Sequence, residues 1–233
     1  MADIVLVHGA WHGGWCWRRV AALLREAGHE VYTPTLTGLG ERVHLMTPEV
    51  GLDTHIEDVC RLFRFEEIDR AVLVGHSYAG MVIPGVADRL GPAVKALVYL
   101  DALNPKTGES LSDIVPRRGP PPAPDPSLPD WLLAPASAER LGVFDAADRA
   151  WLARRLVPHP RKTLTDKLVL TGAHATTIPR LYINCTAPAM NPDSISIARA
   201  KSDPGWRYVE LATGHNAMMT APKETADLIQ SMA

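Results

Sequence analysis

Ala71-Val72-Leu73-Val74-Gly75-His76-Ser77-Tyr78-Ala79-Gly80 is the stretch on which the fold of this chain turns. Residues 71–74 form an apolar run of strand length, and a helix-compatible stretch leaves from Met81. Between them lies a sharp turn with Ser77 at its apex and small residues at 75, 79 and 80. In a Gly-x-Ser-x-Gly elbow, strand and helix approach too closely for large flanking side chains. Here Ala79 fills the last small position. Such a turn strains the serine backbone and exposes its hydroxyl. The same residues also fit a plain strand-to-helix turn with an N-capping serine, so the remainder of the chain has to decide.

Working outward, strands and helices alternate. Ile4-Val5-Leu6-Val7 reads as a strand buried on both faces. A helix is expected from Trp15 to Ala27, stopped by Gly28. Glu30 to Thr33 reads as a strand. Leu52, Ile56, Val59, Cys60 and Phe63 fall at helical spacing, with Thr54 and Glu57 placed as a capping box. Val94 to Leu100 is a further buried strand, ending at Asp101. The pattern then breaks: residues 104–178 hold no clear strand. Pro116 to Pro129 is crowded with proline, which predicts a stiff, extended path, and Asp145 to Leu156 reads as a helix. Alternation resumes with a strand at Arg180 to Ile183, a helix from about Ser194, a strand at Trp206 to Leu211 and a helix from Pro222. The expectation is an α/β fold: a mostly parallel sheet of about six strands flanked by helices, with core residues 1–103 and 179–233 and an inserted cap over 104–178.

Bulk properties narrow the function classes. A chain of 233 residues, 46% of them apolar, makes one domain with room for an insertion. Lys plus Arg number 24 and Asp plus Glu 26, a net charge of −2 with no basic stripe, which argues against nucleic acid. Cys16, Cys60 and Cys185 are odd in number and widely spaced, unlike a disulfide framework or a metal site, and fit a reducing compartment. The N-terminus enters a strand with no leader pattern, and no apolar run reaches bilayer length. A cytoplasmic protein without membrane contact is expected. No phosphate loop, zinc spacing or flavin motif appears, so no cofactor and no metal are implied.

In such sheets ligands sit beyond the carboxyl ends of the strands. His8, Ser77, Asp101, Thr186 and His215 all fall at or just past such ends. A serine hydroxyl needs a base within hydrogen-bond reach. His215 follows the last strand, after both serine and acid in chain order, as a hydrolase base does. An oxyanion hole needs two convergent N–H groups. Tyr78, the residue after the serine, supplies one. Ala10 is the choice for the other, with Gly9 next, on a loop that Gly9, Gly13 and Gly14 let fold close to Ser77.

Several stretches together resemble the α/β-hydrolase superfamily, in the branch of plant methylesterases of the salicylate-binding type, hydroxynitrile lyases and related bacterial esterases. They are Leu6 to Trp17 (LVHGAWHGGWCW), Thr37-Gly38-Leu39-Gly40, Val74-Gly75-His76-Ser77, Val98-Tyr99-Leu100-Asp101-Ala102, Tyr182-Ile183-Asn184-Cys185-Thr186 and Gly214-His215. The resemblance implies a small-molecule ester as substrate and a homodimer. One position departs. The branch carries its acid shortly after Tyr-Ile-x-Cys-Thr, where this chain has Pro188, which cannot orient a histidine. A lost acid lowers kcat by about 10⁴. Asp101 is the expected substitute, as in superfamily members whose acid follows the strand after the nucleophile. Asp193 is the rival, although Pro192-Asp193-Ser194 also reads as a helix N-cap.

Other positions refine the chemistry. The hydroxynitrile lyases of the branch carry threonine where Gly9 stands and lysine where Asn216 stands, which argues against cyanohydrin cleavage. Dehalogenases need a carboxylate in place of Ser77. Gly9, Trp11 and Met218 are the expected substrate contacts, with Tyr78 as a further apolar wall; His12 and His44 are expected to be structural or exposed. Three readings stay open: a serine hydrolase of small to medium carboxylic esters working through an acyl-enzyme, a ligand-binding or receptor-like protein with weak hydrolysis, and a lyase on the same fold.

Overall fold

A computed structural model describes residues 1–115 and 125–233. The chain runs through β1 (Asp3–Val7), α1 (Arg18–Glu26), β2 (Glu30–Tyr32), α2 (Leu52–Phe65), β3 (Ala71–His76), α3 (Ile83–Leu90) and β4 (Val94–Leu100). An insert follows with α4 (Leu111–Ile114), β5 (Leu132–Leu133), α5 (Ala146–Ala153), β6 (His159–Pro160), α6 (Lys162–Thr165) and α7 (His174–Thr177). The chain ends with β7 (Arg180–Cys185), α8 (Ile195–Ser202), β8 (Trp206–Leu211), α9 (Ala217–Thr220) and α10 (Pro222–Gln230).

Six strands form one sheet in the order β2-β1-β3-β4-β7-β8, and every neighbouring pair is parallel. Strand side chains alternate between faces, and here both faces are covered. Ile4, Leu6, Val72, Val74 and Val98 pack with Trp17, Val20 and Leu24 from the α1 side and Ile229 of α10. Val5, Val7, Leu73, Leu97 and Tyr99 pack with Ile56, Val59, Phe63, Ile83 and Val86 of α2 and α3. Each such aliphatic side chain contributes about 1.5–3 kcal/mol by leaving water. The winding reverses between β1 and β3, because β2 lies outside β1 and β4 lies outside β3. A crevice opens at such a switch point. The loops after β1 and β3 flank it.

The expected six-stranded parallel sheet is present, with local differences. The helix expected from Trp15 starts as a 3₁₀ turn, Gly14–Trp17, before α1. Helix α2 begins at Leu52, two residues before Thr54. Burial of Leu52, 2% exposed, draws the helix start upstream, and Asp166 Oδ2 of the insert accepts the Leu52 N–H at 3.0 Å. Thr54 accepts from Gly51 N–H at 3.4 Å, and Glu57 pairs with Arg61 and Arg89 instead of capping. The insert holds a two-stranded antiparallel pair, β5 with β6, that hydrophobic pattern does not reveal because each strand is two residues long. Helix α5 stops at Ala153, and Asp145 Oδ1 caps it by accepting from Asp148 N–H at 2.9 Å. The extended path expected for the proline-rich stretch falls largely on residues 116–124, outside the described residues.

Buried histidines fix the loop after β1. His8 donates from Nδ1 to the Gly9 carbonyl at 2.8 Å, and its Nε2 accepts from Leu36 N–H at 3.1 Å. His12 donates from Nδ1 to the Ala10 carbonyl at 2.6 Å. Burial lowers the pKa of His8 to about 3 and of His12 to about 4. The unfolded chain takes up these protons near pH 6.5, whereas the native chain refuses them until about pH 4 or 3. The unfolded state therefore binds more protons in that window, and stability falls as pH drops below about 6.5. Each histidine contributes a slope of about 1.4 kcal/mol per pH unit. Urea unfolding at pH 5.0 should give a stability about 4 kcal/mol below that at pH 7.5 from these two groups alone; equal midpoints at both values would refute the assignment.

Candidate active site

The elbow takes the conformation its small residues allow. Ser77 has φ +54°, a left-handed backbone that an L-residue adopts at a cost of about 1–3 kcal/mol. A Cβ on Gly75 would lie 2.9 Å from the Ala79 carbonyl oxygen, and one on Gly80 would collide with the Leu103 carbonyl. The Ser77 carbonyl accepts from Leu103 N–H at 3.1 Å, which ties the elbow to the end of β4. Ser77 is half-buried, and among the described residues its hydroxyl has no hydrogen-bond partner.

His215 stands on the loop between β8 and α9 and is 4% exposed. Its Nδ1 donates to Asp101 Oδ2 at 2.5 Å. The other carboxylate oxygen of Asp101 accepts from Cys185 N–H at 3.2 Å, so neighbouring β7 fixes the carboxylate plane. Asp101 itself has φ +44° and gives its own N–H to the Ile183 carbonyl at 2.8 Å. The elbow holds the histidine loop directly. His76 Nε2 donates to the His215 carbonyl at 3.0 Å, and the two rings lie 4.6 Å apart. The strands thus bring the Ser77 elbow, His215 and Asp101 to one corner of the sheet's carboxyl edge.

The loop after β1 closes the other side. A Cβ on Gly9 would stand 2.9 Å from both Ser77 Cβ and His76 Nδ1. Gly9 therefore marks a close approach of the loop to the elbow, where any side chain would force a neighbour to shift. Neither Ala10 N–H nor Tyr78 N–H donates to another group among the described residues. Both are left available to an incoming acceptor.

Other expected residues fall elsewhere. Met218 is fully buried in the core with Trp17 and Ile229, a packing position and not a wall of the site. The sequence missed this because α9 presents Met218 to the core. Tyr78 is also buried, and its hydroxyl donates to His55 Nδ1 at 2.9 Å. Trp11 is half-buried with φ +66° and packs against both core clusters. Asp193 lines a surface hollow with Asp113, Ile114 and Lys201, while Ser194 caps α8 by accepting from Ser196 N–H. His44 is exposed. His12 is buried, and its Nε2 accepts from Asn216 Nδ2 at 3.1 Å. A second hollow, about 530 Å³, is lined by Tyr99, Arg180, Arg199 and Trp206, and Ser77 and His215 take no part in it. His76 and His55 were given no role from the sequence, and Asn216 was read only as a residue that argues against cyanohydrin cleavage; their partners here are non-local. Among the described residues no cluster suits a metal ion, and no helix is long and apolar enough to cross a membrane.

A carbendazim hydrolyzing esterase from Nocardioides sp. (strain SG-4G) is 42% identical over 100% of both chains. A pyrethroid hydrolase from Sphingobium wenxiniae is 29% identical, covering 100% of this chain and 88% of that protein. Among solved structures, an extracellular alpha/beta-hydrolase from a Paenibacillus species superposes with a TM-score of 0.82 at 23% identity. It covers 100% of this chain and 99% of its own, and shows the shared fold. The sequence profile of the alpha/beta hydrolase family matches residues 4–228, and the chain belongs to that family.

Proposed function

We infer that the protein is a serine hydrolase of small to medium carboxylic esters. The observation that carries this reading is the 2.5 Å contact between His215 Nδ1 and Asp101 Oδ2. With the proton held on Nδ1, Nε2 carries a lone pair and is free to act as a base. Ser77, on its strained elbow, is the nucleophile. Its hydroxyl makes no hydrogen bond to His215 among the described residues, and such catalytic bonds often tighten once substrate is in place. Asp101 orients the imidazole and stabilises its charged form, in place of the aspartate that Pro188 excludes.

The reaction then runs in two halves. Ser77 Oγ bonds to the acyl carbon while its proton passes to His215 Nε2. The carbonyl oxygen gains negative charge, which the Ala10 and Tyr78 N–H groups receive. Collapse breaks the ester C–O bond, and His215 returns the proton to the leaving alcohol. Water repeats the sequence on the acyl-enzyme and releases the acid. The described residues of the insert act as the cap over this corner, with Trp11 at its inner edge. The 42% identity to a carbendazim hydrolyzing esterase makes carbendazim the first compound to test beside simple aryl esters.

Three measurements test the reading. Ser77→Ala should abolish turnover of a small aryl ester while leaving the unfolding midpoint unchanged; undiminished turnover would rule out the serine mechanism. A fluorophosphonate should label Ser77 rapidly, and an unlabelled protein would point to binding without catalysis. Asp101→Asn should lower kcat by about 10⁴, whereas Asp193→Asn should leave it within about twofold of the parent, since surface substitutions seldom matter. The reverse order would transfer the acid to Asp193.

A further inference from the structure

The peptide unit between Ala10 and Trp11 is gripped at both ends by buried histidines from different parts of the chain. Its carbonyl accepts from His12 Nδ1 at 2.6 Å, and its N–H donates to His159 Nδ1 at 3.4 Å. His159 lies on β6 of the insert, 148 residues away in sequence. We propose that His159, working against His12, is a positioning residue that aims the Ala10 N–H at the reacting carbonyl oxygen. The proposal rests on the serine-hydrolase reading above and adds to it the group that holds the oxyanion hole open.

Four observations support it. First, the hydrogen-bond directions are self-consistent. Thr163 Oγ1 gives its one proton to the Pro160 carbonyl at 2.7 Å, so it accepts from His159 Nε2–H at 2.8 Å. That places the single proton of a neutral His159 on Nε2 and leaves Nδ1 as an acceptor for Trp11. Second, His12 is set the opposite way. Its Nδ1 must donate to a carbonyl, so its Nε2 accepts from Asn216, the residue after His215. Third, the conformation is one that needs holding. Trp11 has φ +66°, and a non-glycine residue persists there only when its surroundings enforce it. The insert supplies that enforcement: Val157 N–H donates to the Trp11 carbonyl at 3.1 Å, and the Trp11 indole donates to the Leu133 carbonyl at 3.3 Å. Fourth, His159 also packs against the side chain of Tyr78, whose N–H is the other donor of the hole. Its ring stands 4.9 Å from the Tyr78 ring, edge to face. Both His159 and Thr163 are fully buried, and burial keeps His159 neutral, well below its ordinary range. One imidazole of the insert therefore contacts both the residue that follows Ala10 and the side chain of Tyr78.

The test uses side chains that keep one nitrogen's role and lose the other's. Asparagine reproduces the acceptor at the Nδ1 position, and glutamine the group at the Nε2 position. His159→Gln should lower kcat for an aryl ester by about 10- to 100-fold, somewhat less than outright loss of an oxyanion donor, with KM within about twofold. His159→Asn should restore kcat to within about threefold of the parent. Thr163→Val, which frees the proton to move to Nδ1, should cost a smaller factor in the same direction. Amide hydrogen exchange at Trp11 supplies a readout independent of activity: it should quicken in His159→Gln and not in His159→Asn. Equal kcat in His159→Asn and His159→Gln, whether both high or both low, overturns the proposal, as does exchange at Trp11 unchanged in His159→Gln. Ser77→Ala measured in parallel keeps the two ideas separate. If that variant still turns over, the serine mechanism fails, and the exchange data alone judge the grip on the peptide.

Discussion

Backbone held in the left-handed region is the constraint around which this molecule is organised. Four non-glycine residues with positive φ occur among the described residues: Trp11, Glu67, Ser77 and Asp101. Three of them stand at the same corner of the sheet. Each costs about 1–3 kcal/mol, and such strain survives only where packing and hydrogen bonds over-determine it. Leu103 N–H holds the Ser77 carbonyl, Ile183 holds the Asp101 amide, and the insert holds Trp11 at three atoms. A sheet buried on both faces gives these contacts a rigid base.

Electrostatics around the corner follow from burial. His8, His12, His55, His76 and His159 all surround the elbow, and burial lowers every one of them. They remain neutral and serve as directional donors and acceptors. Among the described residues, His215 alone of the imidazoles at this corner contacts a carboxylate, at 2.5 Å. Depth of burial does not set His215 apart from the other imidazoles; the partner of one nitrogen does.

The sequence carried the sheet well, because continuous apolar runs such as Ile4 to Val7 and Val94 to Leu100 admit few other structures when both faces are covered. The placement of Ser77 at a strand-to-helix elbow and of His215 on the loop after the last strand was legible from local pattern and strand order. Asp101 was legible only as one of two carboxylates, since pairing with His215 depends on β4 and β7 lying side by side. The start of α2 was misread because its cap comes from Asp166, more than a hundred residues away. Met218 was misplaced because a four-residue helix has no periodicity to show its inner face. His159 and Thr163 left no trace at all. A buried polar pair in a segment without regular spacing becomes visible only once its partners are in place.

Gly142 and Gly214 meet backbone to backbone, and a Cβ on Gly142 would stand 2.8 Å from the His215 amide nitrogen. The Leu141 carbonyl also accepts from Asn216 N–H at 3.0 Å. The segment between β4 and β7 is thus not a detachable module laid over finished machinery. Transplanting the corresponding piece of a relative to alter selectivity would disturb the machinery itself, unless the graft brought matching contacts at Trp11, Tyr78 and the 214–216 loop. Diversification in this lineage is accordingly expected to proceed by small compensated exchanges along that seam, and not by wholesale replacement.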